Sequence, residues 1–400
     1  NLKYDEIPAW TQDNLFSASH RAGLKTAISA YNWFEKLIPQ ADVDASFYTV
    51  GEDDAADRAV VDAAIPWLAS DDYQLIFVHL DQVDYAGHHE GGPQDPRWDA
   101  AATRVDNYIR EIVSLVDLGQ DTVFITSDHG QIDAGGHGGQ DAIVLIEPFV
   151  LVGAGVQSGE YPDTQMVDIA PTLAVLLGAN IPATSQGHVL TDMLTLSLEQ
   201  ESIVGEALRV QQIQLHETYV AAIGAVDEDI LPIREDMEIV DATQFAMDAM
   251  LLTQVDNERQ PRFTWFLIFA FIPAYGLFKY WNKTMAWLLG GAAAYLALFN
   301  FRYAILDGRT YSLSSVISVD DLIQFNAMTA AIALGVVWLF VMLKLGIFKK
   351  GALKAAESSI LLTALTLYLL ALPILWSYAI NGAVVTWVLP DFASMFVGFL

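Results

Sequence analysis

The sequence predicts an α/β domain followed by an α-helical transmembrane domain, and three observations carry this prediction. Short apolar runs alternate with helical patterns up to about residue 195, and long uncharged runs fill the chain beyond residue 262. Charge divides in the same way: residues 261–400 hold nine Lys or Arg and five Asp or Glu, whereas the first 260 hold eleven and forty-four, a balance of −33. An acidic globular part therefore precedes an apolar part.

The first part alternates helices with strands. A cap at Asp13 starts a predicted helix that runs to residue 22 and stops at Gly23, and a strand follows over 24–30. Further short apolar runs, typical of buried parallel strands, cover 45–50, 75–80, 122–126 and 149–152. Apolar residues recur at helical spacing over 102–116, and a second helix is predicted over 168–177. This alternation predicts a sandwich around a central, mostly parallel sheet, with ligands at the carboxyl ends of its strands.

The remaining chain is predicted to be helical. Residues 198–260 form a connector with a break near 227–232, so the domains are 1–197, 198–260 and 261–400. At least four membrane helices are expected, over 263–278, 284–301, 322–343 and 358–380. Residues 383–400 are also apolar, but Pro390 and Asp391 interrupt them. One interpretation of this segment is a loop followed by the start of a fifth span. The alternative for all these runs is buried core helices.

The loops between the apolar runs predict an orientation. Basic turns at 279–283 and 344–354 flank an acidic turn at 307–321. Because Lys and Arg are enriched in cytoplasmic loops, the basic turns should lie in the cytoplasm. The sequence therefore predicts a multi-pass protein of the cell membrane whose α/β domain is extracytoplasmic.

Composition restricts both partners and metal chemistry. The acidic balance of the first 260 residues argues against nucleic acid and anionic headgroups as partners. The chain has no cysteine, which excludes disulfides and thiolate ligands, so any metal must be held by histidine and carboxylate.

Two segments concentrate such ligands, each directly after a predicted strand. The first contains Asp81, Asp84, His88 and His89, and the second contains Asp128, His129 and His137. Carboxylate and imidazole suit a zinc-class ion, and the strand ends offer a rigid platform. The many glycines around them let the backbone approach an ion or a phosphate closely. Together the two segments predict a metal site.

These motifs resemble a known family. Residues 84–88 read DxxGH, and residues 128–130 read DHG, followed by GGHGG at 135–139. This pair is similar to the metal signature of the alkaline phosphatase superfamily, in its type I phosphodiesterase/nucleotide pyrophosphatase and GPI ethanolamine phosphate transferase branches. The flanking stretches 13–34 and 167–173 are similar to that family's DN(I/L)…AG…TW and D(I/L)xPTL segments. The resemblance covers about residues 10–195.

The resemblance implies two divalent metal ions, zinc or alternatively manganese. It assigns Asp84, His88 and His137 to one ion, and Asp128 and His129 to the other. His188 is the alternative third ligand of the first ion, because some relatives take this histidine from farther along the chain. We expect His79, Asp81 and His89 to lie around the ligands rather than to bind the ions.

One departure from the family concerns the nucleophile. The family places a further aspartate and a Thr or Ser nucleophile before the stretch that resembles residues 13–34, so we expect both upstream of Asn1. Thr11, Ser17 and Ser19 lie in or beside the first helix and lack the expected context. The catalytic residue is therefore not assigned within the chain.

The predicted function is a two-metal phosphodiesterase or phosphoethanolamine-type phosphotransferase, anchored in the membrane and acting on a lipid-linked or surface phosphodiester. The alternative is a catalytically inactive structural subunit of a membrane complex that retains the fold. Partner subunits in the membrane are compatible with either prediction. A sulfatase is disfavoured because no cysteine is present to become formylglycine, and a transporter because the spans hold few ionisable groups.

Overall fold

A computed structural model describes residues 8–139, 141–224, 232–315 and 319–382. The chain divides into two compact units. The first unit comprises residues 1–128 and 147–252, and the second comprises residues 129–146 and 253–400. The predicted break near 227–232, except for its last residue, and the predicted fifth span over 383–400 lie outside the described residues.

A three-stranded parallel sheet organises the first unit, as predicted. Its strand order is β2 (Ala45–Thr49), β1 (Thr26–Tyr31) and β3 (Leu75–Val78). The central strand β1 is almost wholly buried because a neighbour covers each of its edges. Its apolar residues pack with Phe16 and Phe77 into one hydrophobic cluster.

Helices follow the strands through this part of the chain. In chain order they are α1 (Leu15–Arg21), α2 (Phe34–Leu37), α3 (Asp54–Leu68), α4 (Gln82–His89), α5 (Pro96–Val113), α6 (Ala142–Leu145), α7 (Ile169–Leu176) and α8 (Leu198–Ile223). The cap of α1 is Asn14 rather than the predicted Asp13, since the Asn14 side chain accepts the Ser17 N–H. Asp13 instead forms an ion pair with Arg21 at 2.6 Å. Helix α5 begins earlier than predicted because Asp95 caps it and Pro96 occupies its first turn.

The last two predicted strands differ from expectation in their pairing. Strands β4 (Thr122–Thr126) and β5 (Phe149–Gly153) form a separate antiparallel pair. Alternate residues of β5 are exposed, including Val150 and Val152. An antiparallel pair can leave one face open, and five consecutive apolar residues do not distinguish that arrangement from a buried parallel strand.

Four helices in the described residues are long and apolar enough to cross a membrane, as predicted. They are α9 (Ile239–Lys279), α10 (Lys283–Asn300), α11 (Val319–Lys344) and α12 (Ala352–Asn381). Helix α10 continues into a π-helical turn over Phe301–Leu306. Large apolar side chains such as Phe271 and Ile272 are exposed on α9, which suits a surface that faces lipid.

Small residues let the membrane helices of the second unit approach closely. Leu288, Ala292 and Tyr295 of α10 are buried in one cluster with residues of α11 and α12. A Cβ on Gly291 would lie 2.7 Å from Val341 Cγ2 and 3.2 Å from Leu362 Cδ1. A glycine is therefore required at this contact, as small residues are at many membrane helix interfaces.

We expect Gly291→Val to destabilise the helical bundle by about 1–3 kcal/mol, the usual cost of overpacking a filled core. Gly290→Val is the matched control, because a Cβ on Gly290 would meet no described neighbour within 4 Å and both changes place valine in the same helix. The melting temperature, followed by tryptophan fluorescence in detergent, should fall for Gly291→Val and stay near the native value for Gly290→Val. Equal melting temperatures for the two variants would contradict this contact.

Candidate metal centre

Helix α4 carries the first predicted ligand motif. The ligands between β3 and α5 were predicted to lie directly after the end of β3. In the structure most of this segment is the helix α4, which starts at Gln82. Asp84 and His88 are therefore one helical turn apart, with Asp84 Oδ2 and His88 Nε2 separated by 3.5 Å. A carboxylate and an imidazole at this spacing can bind one ion from the same face of the helix.

The buried carboxylate of Asp57 fixes the start of α4 against α3. Its Oδ1 accepts the backbone N–H of Asp81 at 2.8 Å, and its Oδ2 accepts the side-chain amide of Gln82 at 2.8 Å. Burial raises the pKa of the Asp57 carboxyl, while these hydrogen bonds lower it. Asp57 is only 2% exposed, so it supports the metal motif from within the protein and does not bind substrate.

Negative charge accumulates beside α4. Burial raises the pKa of the Asp81 carboxyl, and nearby carboxylates add to this shift, so that the pKa is about 7. These carboxylates belong to Asp84, Glu52, Asp57 and Asp128. Burial lowers the pKa of His79, although Asp128 and Asp84 oppose this shift, and the buried His79 Nδ1 has no hydrogen-bond partner among the described residues. Carboxylates crowded around a buried imidazole are an environment that a divalent cation would stabilise.

Except for Asp128, which ends a segment of the first unit, the second motif lies in the second unit, on a turn over residues 129–139. The rings of His129 and His137 stack, with centroids 3.8 Å apart and planes at 15°. Gly135 and Gly138 adopt φ angles of +86° and +89°, which only glycine accepts readily, and they allow the turn to bring the two rings together. His129 Nδ1 is 3.0 Å from the carbonyl oxygen of Gly130. A proton on Nδ1 would donate to this carbonyl and leave Nε2 as the nitrogen with a lone pair for a metal.

His188 lies with a different set of residues. Its Nε2 is 3.4 Å from Asp241 Oδ1 and 3.9 Å from Glu238 Oε2, and the three side chains could together hold an ion. Its backbone N–H donates to the buried carboxylate of Asp168 at 2.7 Å. Sequence reasoning missed Glu238 and Asp241 because they lie in the connector, outside every recognised motif.

The other predicted residues near the motifs have mainly local contacts. The His89 ring packs on Tyr85, with centroids 4.6 Å apart. Ser17 is buried and donates to Asp42, and Ser19 is fully buried and donates to the carbonyl of Leu15. Neither serine is therefore available to attack a substrate.

The donor set fits divalent metal ions in its chemistry. Carboxylate and imidazole pair within α4, two imidazoles meet on the glycine turn, and four carboxylates lie close enough to Asp81 to raise its pKa. The assignment of Asp84, His88 and His137 to one ion, and of Asp128 and His129 to the other, stays a prediction.

Comparisons with known proteins agree with the motifs. Residues 4–186 match the family described as type I phosphodiesterase / nucleotide pyrophosphatase. The chain is similar to the catalytic subunit of GPI ethanolamine phosphate transferase 3 of Homo sapiens, with 26% identity over 196 residues that cover 47% of this chain and 18% of that protein. It is also similar to GPI ethanolamine phosphate transferase 1 of Mus musculus, with 30% identity over 139 residues (28% of this chain, 15% of that protein).

A third relative is the catalytic subunit of GPI ethanolamine phosphate transferase 2 of Homo sapiens, 25% identical over 198 residues, which cover 46% of this chain and 20% of that protein. The predicted resemblance to the alkaline phosphatase superfamily is thus confirmed. The chain spans about a fifth of the length of these relatives.

Proposed function

We propose that this chain, similar over residues 4–186 to type I phosphodiesterases, is part of a metal-dependent membrane transferase that moves ethanolamine phosphate from a lipid-linked or surface phosphodiester to an acceptor hydroxyl. One observation carries the proposal: both metal motifs lie within the segment matched to this family, and three relatives of the chain are ethanolamine phosphate transferases. The four apolar helices that follow support a substrate in the bilayer, because anchoring raises the local concentration of a lipid.

The residues would divide the work as follows. Asp84, His88 and His137 would hold one ion, and Asp128 and His129 the second. Two bound ions would supply charge neutralisation for the entering and leaving oxygens of an in-line displacement. Asp57 would keep α4 in register with α3, so that Asp84 and His88 present their donor atoms in one direction.

The acidic character of the domain supports a zwitterionic donor. Ethanolamine phosphate in a diester carries one ammonium group and one phosphate charge, whereas anionic headgroups carry a net negative charge. A balance of −33 over the first 260 residues repels anionic headgroups and tolerates the zwitterion. Nucleic acid is disfavoured for the same reason.

The proposed location is a membrane crossed several times, with the basic turns in the cytoplasm and the α/β domain outside it. Two of the relatives are described as catalytic subunits, which supports partner subunits for this chain as well. The metal ions are proposed to be zinc, with manganese as the alternative.

The test combines metal content with transfer by the purified full-length protein in lipid nanodiscs. The donor probe is phosphatidylethanolamine labelled in its headgroup. Hydrolysis of bis-(p-nitrophenyl) phosphate, in which water is the acceptor, reports the chemistry without an acceptor alcohol. We expect about two equivalents of zinc or manganese and label transfer that a chelator abolishes and added metal restores. Metal-free protein that is inactive in both assays would overturn the proposal in favour of an inactive structural subunit.

A further inference from the structure

The loop that joins α10 to α11 contacts the turn that carries His137. We call residues 307–315 the α10–α11 loop. Ser312 Oγ donates to Asp141 Oδ2 at 2.6 Å, and the backbone N–H of Gly139 donates to Ser314 Oγ at 3.0 Å. Both contacts lie within the second unit and join residues more than 170 positions apart in the chain.

These contacts are buried and closely fitted. Ser314 is fully buried and Ser312 is 4% exposed. A Cβ on Gly139 would lie 1.8 Å from Ser312 Oγ and 2.4 Å from Ser314 Oγ, so the loop occupies the space that any side chain at position 139 would need. Because a buried hydroxyl that loses its partner is costly, the two serines hold the glycine backbone in one position.

The α10–α11 loop is itself anchored to the membrane helices. Tyr311 Oη donates to Asn300 Oδ1 at 2.6 Å, and Tyr303 Oη donates to the carbonyl of Thr310 at 3.0 Å. The backbone N–H of Thr310 in turn donates to Ser315 Oγ at 2.9 Å. Tyr303 also packs edge-on against Phe325 of α11, with ring centroids 5.9 Å apart. The loop is therefore a fixed support, and its position follows the ends of α10 and α11.

We propose that Ser312 and Ser314 are positioning residues for the metal-binding turn, and that they make the metal affinity of His137 depend on the arrangement of α10 and α11. His137 lies two residues before Gly139, and its ring stacks on His129 on the same turn. A displacement of Gly139 would therefore be transmitted to the imidazole through two peptide units. The inference rests on the proposed function only in assigning His137 to a metal ion.

The first test is the zinc affinity of the full-length protein, measured by competition with a chromogenic chelator. We expect S312A/S314A to bind zinc about tenfold more weakly, the lower end of the effect of disturbing residues that support a metal ligand. S359A is the matched control, because it removes a serine hydroxyl that accepts from Trp338 Nε1 at 2.8 Å within the bundle, away from the α10–α11 loop. Native affinity in S312A/S314A, or an equal loss in S359A, would overturn the proposal.

A second pair of variants tests the hydrogen bond itself. D141N keeps an oxygen that accepts from Ser312, so its zinc affinity should stay within about twofold of the native value. D141A leaves Ser312 without this acceptor and should bind zinc more weakly than D141N, with a loss no larger than that of S312A/S314A. Equal affinities for D141N and D141A would overturn the role of this bond. Exchange of the Gly139 amide should become faster in S314A even without metal, since this N–H loses its acceptor.

These readouts separate the inference from the proposed function. An inactive protein that binds zinc, and binds it more weakly in S312A/S314A, would sustain the inference and contradict the transferase. An active protein whose zinc affinity is the same with and without both serines would sustain the transferase and contradict the inference.

Discussion

Replacing His129 with alanine is expected to reduce kcat/KM for ethanolamine phosphate transfer by about 10³-fold or more. An ion that neutralises charge in phosphoryl transfer contributes several kcal/mol to the transition state, and each 1.36 kcal/mol is a factor of ten in rate. His129 also packs against His137, with ring centroids 3.8 Å apart, so its loss would disturb the second imidazole of the turn as well. Initial rates with headgroup-labelled phosphatidylethanolamine, together with metal content, measure the effect.

His20→Ala is the control for this prediction, because His20 is an exposed histidine at the end of α1, outside both motifs. Asp128→Asn should resemble His129→Ala, since an amide replaces the anionic ligand with a neutral one. Both motif variants should keep the native melting temperature to within a few degrees when compared without metal. If His129→Ala transferred ethanolamine phosphate at the native rate, the second motif would not be part of the catalytic site.

The sequence allowed the prediction of those features that arise from local patterns. The parallel arrangement of β1, β2 and β3 follows from short apolar runs separated by helices, and the four membrane helices follow from length and lack of charge. Helix α4 was not predicted because Gly87 and several polar residues interrupt any apolar period. Its geometry nonetheless gives the i,i+4 pair of Asp84 and His88 that the ligand assignment requires.

Features that depend on contacts between distant parts of the chain could not be predicted from sequence patterns. Strands β4 and β5 pair antiparallel with each other. Which strand pairs with which depends on contacts across the whole domain, and the apolar composition of a strand does not determine its partner. The contact of Ser312 with Asp141 joins residues 171 positions apart, and serines in a loop have no pattern that marks them. The group of His188, Glu238 and Asp241 was missed for the same reason. It forms only because residues of the connector pack against the loop that contains His188.

A cysteine placed at residue 307 or 72 is expected to react with a membrane-impermeant maleimide on intact cells, whereas a cysteine at residue 350 should react only after permeabilisation. The native chain has no cysteine, so each single-cysteine variant reports one position without background. Asp307, Asp72 and Lys350 are all exposed, so side chain accessibility does not decide the result. The basis is the basic turn that contains Lys350, which should lie in the cytoplasm.

The contact between the α10–α11 loop and the metal-binding turn places these two segments on one side of the membrane, independently of the charges in the loops. Because Ser312 donates to Asp141, the loop after the second span must lie on the side of the membrane where the turn lies. Residues 129–146 fall between strands β4 and β5. The twenty-two residues that separate these strands hold five glycines and four acidic side chains, a composition unsuited to a span. Residues 72 and 307 should therefore always react from the same side. If the cysteine at residue 307 reacted under the same conditions as the one at residue 350, and not as the one at residue 72, both the orientation and the contact would be contradicted.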